Sequence, residues 1–135
     1  METLLRHLDE LPIGYGEGKH FAGRAEKRLA KSVGITQFGV NQVTLAPGAR
    51  TALRHWHEAE DEFVLVLVGA PSLIDDNGEH VLRAGHMAGF PAGAANAHHL
   101  VNNSSEPATL VVVGSRKPGE ETVHYPDDNF GPIRK

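Results

Sequence analysis

Hydrophobic and polar positions alternate with a short period over most of the chain. From Phe38 onward, runs rich in Val, Leu, Phe and Thr are separated by Gly, Pro, Asn and Asp, the texture of an all-β sandwich or barrel. The pattern predicts strands over 37–45, 50–56, 62–68, 71–75, 79–82, 87–90, 98–102 and 109–115. Asp76-Asn77-Gly78 lies between the fourth and fifth, and Asn-Gly is expected to supply the two positive-φ residues of a tight hairpin. Ahead of the strands, Leu4, Leu5, Leu8 and Leu11 fall at helical spacing, with Thr3 able to cap and Pro12 ending the pattern. A short amphipathic helix is expected there. The division that follows is an N-terminal helix and arm (1–36) packing on the barrel, a β-barrel (37–116) and a C-terminal tail with turns (117–135).

Two stretches of the arm mimic function. Gly14-Tyr15-Gly16-Glu17-Gly18-Lys19 imitates a phosphate-binding glycine loop, but neither a preceding strand nor a periodic helix after it is predicted, so it reads as a surface loop. Glu26 to Lys31 mixes charges with Leu29 and Ala30 and reads as a solvated face.

Composition narrows the classes. A length of 135 residues suits one domain with a real core. The chain has no cysteine, which excludes thiolate metal sites, disulfides and a cysteine nucleophile. Thirteen Lys and Arg against 17 Asp and Glu give a net charge of −4, which argues against a phosphate-backbone binder and hence against a nucleic-acid partner. The longest apolar run, 63–68, is far too short to span a bilayer. Glu2 and Asp9 interrupt the N-terminus, which reads against a signal peptide and for a cytoplasmic location. Histidine, with nine copies, is unusually common.

Those histidines carry the candidate chemistry. Side chains alternate along a strand, so His55 and His57 share one face, about 6–7 Å apart, while Trp56 points away. Two imidazoles so placed can chelate a divalent metal. Glu62 opens the next strand and returns beside them if the two strands pair, and His98 lies well downstream. A further ligand from another strand would complete a site of three histidines and one carboxylate.

The frame around these residues resembles the cupin superfamily, specifically its small single-domain, metal-binding members. The first stretch runs from Gly48 through His55-x-His57 and Glu62 to Gly69; the second runs from Gly85 through Pro91, Gly93 and His98 to Asn102. There are two departures. Six residues separate Gly48 from His55, where the family has five, and four separate Gly93 from His98, where the family has two. The second departure sets His99 against His98, and His98 keeps the three-residue gap to Asn102. Glu62, rather than Asp61, keeps the six-residue gap to Gly69.

The resemblance implies a jelly-roll barrel in which His55, His57, Glu62 and His98 bind one divalent transition metal (Fe, Mn, Ni, Co, Cu or Zn). It implies a small-molecule substrate or ligand, a homodimer, and a metalloenzyme of isomerase, epimerase or dioxygenase type. A non-catalytic binding or sensor cupin is the alternative; fold alone does not select a reaction.

Other residues receive plainer expectations. Phe63, Leu65 and Leu67 take one face of their strand and Val64, Val66 and Val68 the other, so burial on both faces is expected. Phe90, Met87 and Leu100 are core or cavity wall. Trp56 is expected to pack on the N-terminal segment or a partner subunit. Arg50 and Arg54 are expected to pair with Glu58, Glu60 or Asp61. His7, His20, His80, His86 and His124 are surface residues, and Asn96 and Tyr125 are within reach of the mouth of the site.

Overall fold

The computed structural model describes residues 2–135. Among them the strands are β1 (Gly14–Tyr15), β2 (Arg24–Arg28), β3 (Phe38–Leu45), β4 (Trp56–His57), β5 (Glu62–Val68), β6 (Ser72–Asp75), β7 (Gly78–Val81), β8 (Met87–Phe90), β9 (His99–Val101), β10 (Ala108–Ser115), β11 (Thr122–His124) and β12 (Ile133–Arg134); one short helix, α1 (Leu29–Ser32), follows β2. Six strands form one sheet in the order β1-β2-β3-β10-β5-β8, and two three-stranded sheets, β12-β11-β4 and β7-β6-β9, complete the jelly roll.

The core lies between the large sheet and the small ones. Val43, Leu45, Val64, Val66, Phe90 and Leu110 enter from the large sheet and meet Leu73 and Leu100 from β6 and β9. Glu62 is the first residue of β5 and shares the inward face with Val64 and Val66, opposite Phe90 in the β5–β8 register. The site therefore begins where the apolar filling of the barrel ends.

Asn102 shows how the second glycine-rich stretch is locked. The residue has no exposed surface. Its amide donates to the carbonyls of Leu45 (2.9 Å) and Glu106 (2.8 Å), and its Oδ1 accepts from the Ser104 backbone N–H (3.1 Å) and hydroxyl (2.6 Å). Its backbone carbonyl takes the Gly48 N–H at 2.6 Å, tying the two motifs together. Gly69 has φ +91°, and a Cβ there would sit 2.7 Å from the Pro107 carbonyl oxygen. Only glycine fits that corner after β5.

Several elements differ from the sequence pattern. The N-terminal helix reduces to a 3-10 turn over Leu8–Glu10, and Leu5 is 77% exposed. A helix of nine residues is marginal without an apolar surface to lie on. The segment 50–56 is mostly loop, held by single bridges from Arg50 to Val101 and from His55 to His98 before β4 begins. Glu26 belongs to β2, a charged strand that pairs with β3 and is followed directly by α1. At Asp76-Asn77-Gly78 only Gly78 has positive φ (112°), and Asn77 is held instead by its N–H on Asp75 Oδ1 (2.9 Å). The tail is also structured: β11 pairs with both β12 and β4.

The outer face of β5 is not covered within the chain. Val64 and Val66 are buried, but Phe63 is 38% exposed, Leu67 43%, and Met87 on neighbouring β8 63%. Met87 therefore faces outward, while Phe90 and Leu100 fill the core. Trp56 stacks on His124 of the C-terminal segment, with ring centroids 4.3 Å apart, rather than on the N-terminal arm.

Substituting Asn102→Ala leaves two carbonyls and two Ser104 donors without their partner. The expected cost is roughly 2–3 kcal/mol of unfolding free energy, read from denaturant titration. A loss under about 0.5 kcal/mol would contradict this account of the motif.

Candidate metal centre

Four side chains from three parts of the fold meet at the inner end of β5. His55 and His57 flank Trp56 and point inward. His98 lies opposite His55, and the two backbones exchange hydrogen bonds, His98 N–H to His55 carbonyl at 2.9 Å and the reverse at 3.2 Å. Glu62 does not come from a strand paired with the histidine strand, because β4 pairs with β11 while β5 pairs with β8 and β10. It reaches the histidines across the barrel interior instead.

The geometry is convergent. Oε2 of Glu62 lies 2.8 Å from His98 Nε2, 3.4 Å from His57 Nε2 and 3.6 Å from His55 Nε2. His55, Glu62 and His98 each offer an atom within 4.8 Å of the others, and His57 joins them through Glu62. The opposite nitrogen of each ring is also engaged: His55 Nδ1 lies 2.7 Å from the Leu53 carbonyl, His98 Nδ1 3.0 Å from the Asn96 carbonyl, and His57 Nδ1 3.0 Å from Glu121 Oε2. Phe90 lies flat on His98, centroids 3.5 Å apart, fixing the plane of that ring.

This arrangement makes a charge demand. Six ring nitrogens face oxygen acceptors, whereas three neutral imidazoles carry three N–H protons. If the Nδ1 atoms keep those protons, three bare Nε2 lone pairs surround one carboxylate oxygen. A cation at that point resolves the conflict, and nitrogen and carboxylate donors suit a borderline transition metal. Without one, protons must serve. Burial pushes the Glu62 carboxyl up, but hydrogen bonds from His55, His57 and His98 outweigh it and hold the group well below the usual carboxylate range. Burial pushes His57 down, and its contacts with Glu62 and Glu121 more than reverse this, leaving it raised.

The structure places the alternatives left by the sequence as follows. His99 turns away from the cluster, with Nδ1 2.7 Å from the Ala52 carbonyl; burial lowers its pKa. Asp61 accepts the Ala92 N–H at 2.8 Å on the outside of the turn. Tyr125 reaches the mouth, its ring centroid 6.0 Å from that of His55. Asn96 is occupied elsewhere, accepting the Asp76 N–H and donating to Asp75. Arg54 does not pair with Glu58, Glu60 or Asp61. It binds Asp127 through Nε (2.5 Å) and Nη2 (2.8 Å), and Asp76 through Nη1 (2.7 Å). Arg50 instead contacts the backbone carbonyl and ring nitrogen of His20. His7, His80 and His86 are exposed, while His20 and His124 are partly covered.

Glu121 is the residue that sequence reasoning missed. It sits in a stretch that reads as a tail, yet Glu121 and Val123 occupy the same inward face beside His57. The β-branched Thr122 and Val123 were the available signal for a strand there.

The comparisons agree with this architecture. Residues 41–114 match the cupin domain model. None of the curated proteins compared matches the chain. Among solved structures, a sugar phosphate isomerase of the cupin superfamily from Silicibacter pomeroyi is 44% identical, with a TM-score of 0.81 over 92% of this chain and 81% of that one. A putative sugar phosphate isomerase from Acidithiobacillus ferrooxidans is 32% identical, with a TM-score of 0.73 over 77% of this chain and 65% of its own. A polyketide cyclase from Streptomyces resistomycificus shares the fold at 19% identity, with a TM-score of 0.72 over 86% of this chain and 81% of that one. With over half its length matched by the domain model and its jelly roll shared with these structures, the chain belongs to the cupin family.

Proposed function

We propose that His55, His57, Glu62 and His98 hold one divalent transition metal and that the protein isomerises a sugar or sugar phosphate bound beside it. The observation that carries the metal is the convergence of three Nε2 atoms on one Glu62 oxygen, at 2.8 to 3.6 Å. The substrate class draws support from the 44% identical structure described as a sugar phosphate isomerase. When bound, the metal would supply Lewis-acid polarisation of a substrate oxygen at coordination positions the protein leaves open.

The chain's own residues prepare the rest. A cavity of about 450 Å³ is lined in part by Leu53, Tyr125, Phe21 and Phe130; its link to the site is Tyr125, whose ring centroid lies 6.0 Å from that of His55. That volume suits a small organic molecule. The Tyr125 ring lies beside that of His55, and burial raises its hydroxyl above the usual range, so the group is a hydrogen-bond donor at neutral pH. Arg54, clamped by Asp76 and Asp127, fixes the segment that carries Tyr125. The reaction is cytoplasmic in this reading, and the active species is a homodimer joined through the uncovered face of β5 and β8, where Phe63, Leu67 and Met87 lie exposed.

Three outcomes are expected. Purified protein reconstituted with Mn, Fe, Co, Ni or Zn should hold about one ion per chain by elemental analysis, and His57→Ala should lose most of it. That preparation should interconvert aldose and ketose sugars or their phosphates in a coupled assay. Absence of stoichiometric metal would sink the reading, whereas metal and sugar binding without turnover would favour a binding module.

Thermal stability of the metal-free chain should depend on pH in a defined way. The lowered Glu62 contributes stability that is complete above its unfolded value near 4.5 and lost as pH falls through the folded value. The raised His57 contributes stability that is complete below its unfolded value near 6.5 and lost as pH rises through the folded value. Melting should therefore peak between those limits, and saturating metal should extend the plateau to alkaline pH, because metal replaces the protons. A melting temperature of metal-free protein that keeps rising well above neutrality would refute this.

Light scattering at micromolar concentration should give twice the chain mass, and Leu67→Glu should shift it to the monomer. A wild-type monomer would rule out the dimer.

A further inference from the structure

We propose that Glu121 is the positioning residue for His57: its buried carboxylate keeps the ring proton on Nδ1 and thereby presents Nε2 to the centre of the barrel. The inference rests on the metal-centre reading above and adds a residue that lies outside the 41–114 domain match.

The partners of Glu121 hold its carboxylate in place. The residue is 1% exposed. Oε1 accepts the backbone N–H groups of Ala59 and Thr122, each at 3.0 Å, which pins the carboxylate plane. Oε2 faces His57 Nδ1 at 3.0 Å, and the Glu60 carboxyl is the other side chain in contact with Glu121. His55 and His98 rest their Nδ1 atoms on the neutral carbonyls of Leu53 and Asn96, so among the three rings only His57 has an anionic partner on that side. A charge-assisted bond of this kind orients the ring and raises its basicity as a ligand. The pairing of β11 with β4 brings the two residues together, because Val123 stands opposite His57 and Glu121 precedes Val123 by two on the same face.

The amide variant reads this role directly. In Glu121→Gln the side-chain oxygen stays with the two backbone donors, because the NH2 group cannot face them. The NH2 then points at His57 Nδ1, which must accept, and the ring proton moves to Nε2, where it blocks a metal. Two-bond 1H–15N correlation of the metal-free chain, at a pH alkaline enough for the ring to be neutral, should show His57 as the Nδ1–H tautomer in wild type and the Nε2–H tautomer in the variant. Zn(II) affinity, measured by chelator competition, should fall about 10–100-fold in Glu121→Gln, while Glu106→Gln, which removes an exposed carboxylate, should stay within about twofold of wild type.

A wild-type His57 carrying its proton on Nε2 overturns the proposal, and this measurement needs no variant to fold. So does a folded Glu121→Gln chain that keeps the Nδ1–H tautomer and wild-type zinc affinity. If wild type takes up none of Mn, Fe, Co, Ni or Zn, the metal-centre reading fails by itself, and the tautomer in the two metal-free chains still decides whether Glu121 sets the ring.

Discussion

Three imidazole nitrogens within 3.6 Å of a single carboxylate oxygen set a charge requirement that the barrel interior has to meet. In a site shielded from water, a bare lone pair facing an anion is costly, so the cluster demands either protons or a cation. The rest of the fold is arranged around that demand. Glu62 heads a strand whose next inward residues, Val64 and Val66, are apolar and buried, which keeps solvent from approaching along β5. Phe90 closes the opposite side by lying on His98. The polar centre is thus a cap on an otherwise dry core.

The orientation of the histidines is set from behind. Each Nδ1 has an acceptor supplied by a different part of the chain: the loop before β4, the loop before β9, and the C-terminal segment. Backbone carbonyls suffice for two of the rings because bridge pairing already fixes the peptide planes. The third acceptor is an ionisable side chain. Burial pushes Glu121 up, but the Ala59 N–H, Glu60 and His57 hold it below its usual range. Burial raises neighbouring Glu60, and its contact with Glu121 adds to the effect.

Much of this was legible in residue spacing. Glycines at turn corners, a His-x-His pair and a strand-initial Glu are local features, and Gly69 and Asn102 play the parts their places in the pattern suggest: a corner only glycine fits and a buried amide with its partners satisfied. The strands at 62–68 and 87–90 follow directly from alternation and end punctuation. The parts that escaped notice depend on distant partners. β2 is built from Arg, Ala, Glu, Lys and Arg, a composition that reads as solvent-facing and forms a strand only because β3 offers it a ladder. The leucines of the N-terminus have helical spacing, yet Leu4, Leu5 and Leu8 stay exposed and only the turn at Leu8–Glu10 forms. Glu121 carries no motif, and its role exists only once β11 has been laid against β4.

Arg54 has a consequence for the cavity beside Tyr125. The guanidinium grips the Asp127 carboxylate with two nitrogens and reaches Asp76 and the Ala97 carbonyl with a third. The wall formed by Tyr125 and Phe130 is therefore fastened to the barrel partly by charge at a partly exposed position, beside the β11–β4 pairing, whereas the interior is held by apolar contact. Ionic strength weakens fastenings of the first kind and spares the second. Salt would loosen the doorway while leaving the room behind it intact.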